Sequence, residues 1–497
     1  MSENLTGLVK IIGITILLFV LWGFLAYQVP ENFLKPNNIE NLLRRTALFG
    51  ILGIGVSFVI ISSGIDLSIG SLVCFTACLL ALFLSVTYDP YVSTDVYEIK
   101  AQQQKLLVGT NAEFRPGQSI RYYGGRRARN AMLKITAVTP VEYQGRPANE
   151  ISVDQPLTRD DTADSANRSV GKIAAMYPIS RISGDHLDIP FLELAPRDRV
   201  WFVHPERGLK EKTVASVKPS TTSKDLSEVT FTESLDGIDA TFIAIPLARQ
   251  QKMSVPLAIL TVLLIALGLG MIHGLLITRL KQQPFVVTLC GLLIYRGLSR
   301  WLSNDQTLGF GNEYEGSLGL LATGRLVLWE SETSSFGIPY SFFFLILLTI
   351  AAIIFLNFTI WGRYILALGR NEEAARYSGV NTGRMTILAY VLCAVLTGVG
   401  GILFALDANS IAPSSFGNFF ELYAIAAAVL GGCSLRGGEG SIIGVVVGTA
   451  LMQTLYNSIV LLKIPDELEY AIIGAVILVG VTSDELIRMI ANRFKRD

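Results

Sequence analysis

The residues of this chain that could carry catalytic chemistry are few and scattered. The three histidines, His186, His204 and His273, lie far apart in the sequence. The five cysteines lie in or beside apolar segments and include no Cys-x-x-Cys pair, which disfavours a disulfide framework and a metal site. There is also no phosphate-binding Gly-x-x-x-x-Gly-Lys loop, no His-Glu-x-x-His pair and no nucleophile elbow. We therefore predict that the chain is not an enzyme and binds no metal.

One acidic residue follows directly after the second apolar run of the chain. Gly64 can adopt a positive φ and end one helix, and Asp66 can cap the next helix by accepting its free N–H groups. An acid at membrane depth must face protein or water. Two interpretations stay open: a structural cap, or a gate that Gly64, Asp66 and Ser68 line. For His273, in the fourth apolar run, we favour packing or an interfacial position, because one histidine makes no proton relay.

A polar segment at residues 369–381 lies between two apolar runs, 340–361 and 385–406, that are each long enough to cross a bilayer. Over the whole loop between these runs, residues 362–384, four arginines stand against two glutamates, which indicates the cytoplasmic side of a membrane. The segment has helix-forming residues, and an ordered helix in so short a loop suggests a partner that receives it. We therefore predict a docking helix at about 371–381.

The loop after the eighth apolar run is dense in glycine. Such density requires either positive φ angles or the close approach of another backbone. A tight turn explains much of the pattern, and contact with a cytoplasmic partner would explain the flanking Arg436 and Glu439. The candidate residues of this turn are Gly431, Gly432, Ser434, Gly437 and Gly438.

The composition is that of a membrane protein. Of the 497 residues, 51% are hydrophobic and 16% are charged, and the formal net charge is zero. This length is too great for one domain. A nucleic-acid partner would require a basic excess, so we expect none.

The apolar runs predict an all-helical bundle of about ten transmembrane helices, because the runs have the length that a bilayer requires and lack the alternation of barrel strands. The first run is too long for the core of a signal peptide, and we expect it to be retained as a span. The ten runs are residues 9–29, 43–63, 67–87, 254–277, 285–303, 340–361, 385–406, 419–435, 441–462 and 468–483.

The charges of the loops predict the orientation of this bundle. Basic residues at 278–281, at 362–384, at Arg436 and in the tail at 488–496 all fall on one side when ten spans are counted. By the positive-inside rule that side is the cytoplasm, so both termini are cytoplasmic. Arg44 and Arg45 fall on the outer side, and we expect them to belong to an amphipathic outer segment.

Residues 88–252 differ from the rest of the chain, since they hold 22 of the 41 Lys and Arg residues. Short alternating runs punctuated by Pro, Gly and Asp predict half-buried strands. Two stretches, 115–153 and 195–231, look alike at a separation of about 80 residues, which suggests a duplicated small β-barrel or sandwich. Span counting predicts that this mostly-β insertion is extracytoplasmic. A disordered loop is the alternative, which the aromatic and β-branched residues disfavour.

Three separated segments resemble, in order and spacing, the permease subunits of ribose-type ABC importers. The matching segments are Ser-Gly-Ile-Asp-Leu-Ser-Ile-Gly-Ser at 63–71, Leu-Gly-Arg-Asn-Glu-Glu-Ala-Ala-Arg-Tyr-Ser-Gly-Val-Asn at 368–381 and Ala-Ala-Ala-Val-Leu-Gly-Gly-Cys-Ser-Leu-Arg-Gly-Gly-Glu-Gly-Ser at 426–441. Shorter matches lie at 283–289 and 362–369. The resemblance covers about 1–87 and 253–497.

The resemblance implies a permease that imports a monosaccharide, or a similar small polar solute, by alternating access across the bacterial inner membrane. It also implies three kinds of partner: a second permease copy or paralogue, ABC ATPase subunits, and an extracytoplasmic substrate-binding protein. No cofactor is expected on this chain, since ATP would bind to the partner subunit. The docking helix would be the coupling helix that contacts the ATPase. The predicted ATPase-coupling residues are Asn371, Glu372, Glu373, Ala374, Ala375, Arg376 and Gly379.

The chain is therefore predicted to have three parts: residues 1–87 with spans one to three, the insertion 88–252, and residues 253–497 with spans four to ten. The insertion is the departure from the resemblance, because family members join the third and fourth spans by a short outer loop. Two other functions stay open. An ion-coupled carrier would need ionisable relays in several spans. A membrane receptor or assembly protein would work through the insertion.

Overall fold

A computed structural model describes most of the chain, and its contacts divide the chain into two compact units. The described residues are 3–123, 132–155, 161–162, 169–179, 181–183, 185–189, 193–204, 207–220, 226–239, 241–331, 335–476 and 478. The helical unit is built from the stretches 1–85 and 253–497, and the β unit from Val86–Lys252.

The helical unit contains thirteen α-helices with defined bounds in the part of the chain that the structure describes, besides a helical stretch at residues 469–476. They are α1 Glu3–Gln28, α2 Pro30–Phe33, α3 Pro36–Ile61, α4 Ile69–Phe83, α5 Val255–Thr278, α6 Pro284–Leu302, α7 Leu320–Thr323, α8 Tyr340–Ile353, α9 Ile360–Arg370, α10 Glu372–Tyr377, α11 Thr382–Ala408, α12 Phe420–Leu430 and α13 Ile442–Leu461. A π-helical turn, Ile354–Phe358, extends α8, and a 3₁₀ turn, Asp466–Leu468, follows α13.

Seven of these helices are long and apolar enough to cross a membrane: α1, α3, α5, α6, α8 with its π-helical turn, α11 and α13. They correspond to seven of the predicted spans. The third and eighth predicted spans are shorter helices of 15 and 11 residues, α4 and α12. The tenth, 468–483, begins at the last residue of the 3₁₀ turn and is helical over residues 469–476 and at 478, and residues 477 and 479–483 lie outside the described residues.

The centre of the bundle is α3, which is buried at every position from Thr46 to Ile61. By contrast, α5, α6 and α8 expose leucines such as Leu264, Leu293 and Leu347 on one face. An apolar face of this kind is what a helix at the rim of a bundle presents to lipid. This stretch of α3 therefore has contacts on all sides, and the turn that follows it is buried at Gly64, Asp66 and Ser68 but exposed at Ser63 and Ile65.

Small residues bring some of these helices into backbone contact, as their spacing indicates. A Cβ atom at Gly448 would lie 2.8 Å from the nitrogen of Gly431, so α13 and the end of α12 touch. On α5, Gly270 and Gly274 meet the backbone of α11, whereas Gly268 has nothing within 4 Å. Close approach at small residues is a principal source of helix association in membranes, because no hydrophobic effect drives it there.

The polar end of the bundle near the start of α3 is held by paired charges. Glu40 is 4% exposed and accepts two hydrogen bonds from the Arg325 guanidinium, at 2.8 and 2.7 Å. Arg44 lies 3.7 Å from Asp407, and Arg45 lies over the Tyr456 ring at 4.9 Å. The expected amphipathic segment around Arg44 and Arg45 is thus part of α3 itself, with both arginines held by partners.

Sixteen strands complete the described fold, the last two as a hairpin in the helical unit that the sequence patterns did not predict. They are β1 Val86–Pro90, β2 Ser93–Lys100, β3 Lys105–Val108, β4 Ser119–Tyr123, β5 Met132–Tyr143, β6 Arg146–Val153, β7 Asp161–Thr162, β8 Gly171–Pro178, β9 Arg181–Ser183, β10 His186–Ile189, β11 Arg199–His204, β12 Gly208–Pro219, β13 Ser227–Phe231, β14 Ile243–Gln251, β15 Arg325–Glu330 and β16 Ser335–Pro339.

The two halves of the β unit share one strand order. The first half runs β2-β3-β6-β5-β4-β8, and β8 also pairs with β2, which closes a barrel. The second half runs β9-β10-β13-β12-β11-β14, and β14 pairs with the end of β8. Each half has its own apolar core, one around Ile120 and one around Phe202. Both cores follow from strands whose alternate residues point inward.

Equivalent turns precede β4 and β11. Gly117 and Arg197 both have positive φ, 89° and 74°, and both donate through nitrogen, to the Ile135 and Val214 carbonyl oxygens, each at 2.8 Å. Asp198 follows the second turn and is 4% exposed. Each half of the β unit therefore has the same turn at the same place.

Asp198 holds the second half together at this turn. Its carboxylate accepts hydrogen bonds from Ala195 N at 2.8 Å, from Arg249 N at 2.9 Å and from the Tyr91 hydroxyl. Burial raises the pKa of Tyr91, and the bond to Asp198 raises it further. Tyr91 is thus a donor at physiological pH, and the carboxylate joins the residue that follows β1, the turn and β14.

We predict that Asp198→Ala lowers the free energy of unfolding of the second half of the β unit by about 3 kcal/mol, because hydrogen bonds to a buried charged group are lost. Faster hydrogen exchange in residues 243–251 of the full-length protein would measure this. The matched control is Gln118→Ala in the equivalent turn, where one exposed bond to Arg115 N at 3.2 Å is lost. Equal exchange in both variants would contradict the role of Asp198.

Candidate functional site

The predicted docking helix is present but shorter than expected. The helix predicted at 371–381 is α10, Glu372–Tyr377, with Asn371 as its N-cap, whose side-chain oxygen accepts a hydrogen bond from Ala374 N at 3.0 Å. The prediction was too long at its end because Gly379 has φ 85° and Asn381 already caps α11. A positive φ at glycine and a fresh N-cap separate the two helices.

Nearly all side chains of α10 are exposed. Ala375 is its one buried residue, with 5% exposed, and packs α10 onto the bundle. The other residues predicted to couple are exposed: Asn371, Glu372, Glu373, Ala374, Arg376 and Gly379. Tyr377 is 84% exposed, although a tyrosine gains most when it is packed. A short, capped helix with a bare face is a surface on which a partner protein can bind.

The chain just before α10 joins two other segments at one place, which we call the junction: residues 61–64, 369–370 and 437–438. The Ser63 hydroxyl lies 3.0 Å from both the Gly369 and the Arg436 carbonyl oxygens and donates to them. The backbone N–H of Gly438 donates to the Ile61 carbonyl oxygen at 2.8 Å. All three sequence segments with functional signals therefore meet in the folded chain.

The junction explains the glycines. A Cβ atom at Gly369 would overlap the Ile61 carbonyl oxygen, and one at Gly437 would overlap the Ser63 hydroxyl. Gly437 and Gly438 also have φ of 84° and 74°. Of the two requirements for so dense a turn, positive φ and close approach of a backbone, both hold here. The backbone that approaches belongs to this chain.

The rest of the glycine turn fastens α12 to α13. Gly432 has φ 92°, and a Cβ atom at Gly431 would lie 2.5 Å from the carbonyl carbon of Gly444. Ser434 N donates to the Glu439 carbonyl oxygen at 3.0 Å, and Ser434 O accepts from Gly437 N at 2.8 Å. The turn is therefore a rigid backbone structure.

The Asp66 segment continues directly from the junction. The Asp66 carboxylate is 2% exposed and accepts hydrogen bonds from Ser68 N at 2.8 Å and the Ser68 hydroxyl at 2.6 Å. Ser68 occupies the N-cap position of α4, so Asp66 binds the residue that precedes the helix, whereas the prediction had it accept the N–H groups of the helix itself. The prediction of a positive φ at Gly64 was wrong, because Ser63 takes that conformation, with φ 64°. Gly64 is required instead because a Cβ atom there would lie 2.7 Å from the Tyr390 hydroxyl.

Three side chains that the sequence patterns did not single out as a site enclose this turn. The Tyr390 hydroxyl donates to the Ile65 carbonyl oxygen at 3.1 Å. His273 Nε2 lies 2.8 Å from the Tyr295 hydroxyl, and both residues are 4% exposed. His273 is thus packed, as expected, but deep inside the bundle. In the sequence, the one sign of each of these residues is a ring with a polar atom within an apolar run. The fold then brings the rings of Tyr390, His273 and Tyr295 together.

These features define a class of protein: a multi-pass helical membrane protein with a bare polar helix joined rigidly to buried ionisable groups. Ionisable groups buried among membrane helices are costly, so they form the candidate functional site of this chain. The arrangement suits movement of a solute.

Comparison with known proteins identifies the family. A family model for the permease component of branched-chain amino acid transport systems matches residues 239–481. The Escherichia coli ribose import permease protein RbsC is 32% identical over 227 residues, which cover 46% of this chain and 68% of the relative. The galactose/methyl galactoside import permease protein MglC of Escherichia coli is 31% identical over 257 residues, 52% and 73% of the two chains. The ribose import permease of Bacillus subtilis is 35% identical over 213 residues, 43% and 62% of the two chains.

The chain belongs to this family of transport permeases, and the resemblance inferred from the three motifs is confirmed. No solved structure matches it. The match of the family model includes α10 and the glycine turn, whereas Ser63 and most of the β unit precede it.

We predict that Gly369→Ala lowers the free energy of unfolding by about 1–3 kcal/mol, because the added methyl group forces the junction apart. Thermal unfolding of the purified protein, followed by tryptophan fluorescence, measures the change. The control is Gly268→Ala on α5, where the added methyl group meets open space. Equal stabilities of the two variants would show that the backbones at the junction are not in contact.

Proposed function

We propose that the chain is the membrane-spanning subunit of an ATP-driven importer of monosaccharides, and that α10 is its coupling helix. The observation that carries this proposal is the exposed α10, which a rigid junction connects to the buried Asp66 turn. The ATPase subunits bind and hydrolyse ATP, and this chain contributes no cofactor. Its work is mechanical.

The coupling would pass through the junction. When the ATPase subunits close, α10 is displaced, and Gly369 moves with it. The Ser63 hydroxyl and Gly438 N–H transmit this displacement to the end of α3 and to the glycine turn. The Gly64–Ser68 turn, which directly follows Ser63 in the chain, then moves against Tyr390 and His273. Alternating access needs two discrete arrangements of this kind.

The relatives support a sugar as the solute. Their names specify ribose, galactose or methyl galactoside, and xylose, all small polyhydroxylated molecules. A monosaccharide carries many donors and acceptors, and these need polar partners inside a bilayer. Asp66, Ser68, His273 and Tyr390 are such groups. A second permease copy or paralogue and an extracytoplasmic substrate-binding protein would complete the importer.

In the bacterial inner membrane, the chain would cross the bilayer about ten times, with α4 and α12 as short spans and the tenth span after α13. Both termini would be cytoplasmic. The basic residues around α10, such as Arg363 and Arg384, support the cytoplasmic side for α10. The β unit follows the opposite end of α4, which supports an extracytoplasmic position for it.

We predict opposite labelling of two cysteines by a membrane-impermeant maleimide. Leu209→Cys on β12 reacts in intact spheroplasts, whereas Tyr377→Cys on α10 reacts only after lysis. Both native residues are exposed, at 45% and 84%, and the background carries Cys290→Ser because Cys290 is the exposed native cysteine among the described residues. The proposed orientation would be overturned if intact spheroplasts labelled both cysteines, or labelled Tyr377→Cys and not Leu209→Cys.

We predict that Glu373→Arg and Gly379→Pro each reduce ATP-driven sugar uptake to background while the protein stays in the membrane. The first variant reverses a charge on the bare face of α10. The second imposes φ near −65° where φ is 85°, and removes the N–H that donates to the Arg376 carbonyl oxygen at 3.0 Å.

The control for both is Glu330→Arg, an exposed charge at the end of β15. Uptake and co-purification of an ATPase are measured for all three variants in the same membranes. Normal uptake by both α10 variants would remove the coupling assignment.

A further inference from the structure

A second buried polar assembly lies at the start of α12, apart from the Asp66 turn. Residues 409–419 connect α11 to α12 without helical structure, and α12 has 11 residues. At 1.5 Å per residue α12 is about 16 Å long, roughly half of the hydrocarbon thickness. Because α12 ends at the glycine turn of the junction, it starts near mid-depth. The irregular segment before it therefore reaches the interior of the membrane.

This segment crosses the first turn of α4, and we call the contact between residues 68–74 and 413–421 the crossing. A Cβ atom at Gly70 would overlap the Gly417 carbonyl oxygen, and one at Gly417 would overlap the Gly70 carbonyl oxygen. Gly417 has φ 76°. The Cys74 sulfur lies 3.6 Å from the Pro413 carbonyl oxygen. Two backbones thus meet with no side chain between them.

A charged side chain on α6 binds the irregular segment. Arg296 Nη1 donates hydrogen bonds to the Pro413 carbonyl oxygen at 3.0 Å and to the Phe416 carbonyl oxygen at 2.7 Å. Carbonyl groups outside helices need donors at this depth, because the bilayer core holds no water. A neutral donor would be enough for that need. A guanidinium is expensive at mid-membrane, which indicates a role beyond folding.

An acidic side chain from the second segment of the crossing contacts the first segment. Glu421, in the first turn of α12, is 9% exposed, and its carboxylate lies against the backbone of Gly70 at the start of α4. A carboxylate is stabilised at a helix N-terminus, where N–H groups lack partners. Arg296 and Glu421 therefore each bind the backbone of a segment from another element, and together they fasten α4, α6 and α12.

Both sides of the crossing are attached to the junction. From Ser63 the chain needs five residues to reach Ser68, and α12 leads straight into the glycine turn that contains Gly437 and Gly438. A displacement of α10 would reach the two sides by separate routes, one through α3 and one through the glycine turn. A contact that only stabilised the fold would not need both of these routes.

We propose that the crossing closes the solute path inside the bilayer in this conformation, and that Arg296 and Glu421 are positioning residues that hold it closed. The inference rests on the proposed transport function, because a closed path has meaning only in a protein that opens it. During transport the two backbones separate at Gly70 and Gly417, and the bonds of Arg296 to Pro413 and Phe416 release.

The first test measures passive leak. The complete complex is reconstituted in liposomes without ATP, and efflux of radiolabelled ribose is followed, with inulin as an internal control for intact vesicles. We expect Arg296→Met to raise ribose efflux about tenfold or more, since loss of a hydrogen bond to a charged group shifts a two-state equilibrium by at least that factor. Arg296→Lys should restore part of the barrier.

The matched control is Arg300→Ala, one turn further along α6, where the guanidinium is exposed and bonds Asp305 at 2.7 Å. Its efflux should equal that of the unaltered protein. Efflux of ribose from Arg296→Met at the level of this control, with the complex intact, would overturn the proposal. Leak needs no ATP, so this outcome is independent of whether the complex pumps.

The second test keeps Arg296 and Glu421 in place, and so remains decisive if Arg296→Met does not fold. Pro413→Cys is combined with the native Cys74, with the other native cysteines replaced, and the complex is oxidised with copper phenanthroline. We expect cross-linking to stop ATP-driven uptake, dithiothreitol to restore it, and trapping with ATP and vanadate to slow cross-linking several-fold. The control carries Cys78 in place of Cys74.

Complete cross-linking with unchanged uptake would show that the crossing does not move. If the unaltered complex takes up no sugar with ATP, the proposed function fails, and the leak of ribose through Arg296→Met still decides whether the crossing is a barrier.

Discussion

The contact of the Ser63 hydroxyl with the Gly369 and Arg436 carbonyl oxygens is the interaction on which the rest depends. It brings the end of α3, the end of α9 and the glycine turn within hydrogen-bonding distance, and glycine at 369 and 437 is the condition for that approach. Side chains at these places would separate the backbones, and α10 would then be a loose loop. The short Ser63 side chain and the backbone bond from Gly438 N–H to the Ile61 carbonyl oxygen hold the three segments with few rotatable bonds between them.

Burial of polar groups explains why the bundle has discontinuities. Asp66 and Arg296 would each be costly in hydrocarbon, and each meets a stretch of non-helical chain: Asp66 lies within residues 62–68, and Arg296, on α6, binds carbonyl groups of residues 409–419. Backbone N–H and carbonyl groups of these segments form hydrogen bonds with the two charged side chains. These bonds stabilise the charges and give the non-helical backbone groups their partners. The short helices α4 and α12 are the consequence, since each begins where such a segment ends.

Much of this architecture could be predicted from local patterns, and the site only in part. Apolar length identifies the long helices, and the Asn371 and Asn381 caps are visible as residue types. The positive φ lies at Ser63 and not at Gly64, and the Tyr390 hydroxyl that packs against Gly64 and bonds the Ile65 carbonyl oxygen is more than 300 residues away in the sequence. The association of His273 with Tyr295 likewise needs the packing of α5 on α6. The hairpin β15–β16 depends on Glu40 for its anchor, and no local pattern contains that contact.

The β unit illustrates how so large an insertion is compatible with the family's helical bundle. Its first and last strands, β1 and β14, pair antiparallel with Val86 opposite Gln251, so the chain enters and leaves the unit at adjacent positions about 5 Å apart. The two ends of the unit are therefore as close together as the ends of a short loop between α4 and α5. Each half of the unit also has its own apolar core, built from residues of the unit itself. A unit that closes on itself can therefore be inserted or doubled while the α3–α4 turn and the junction keep their geometry.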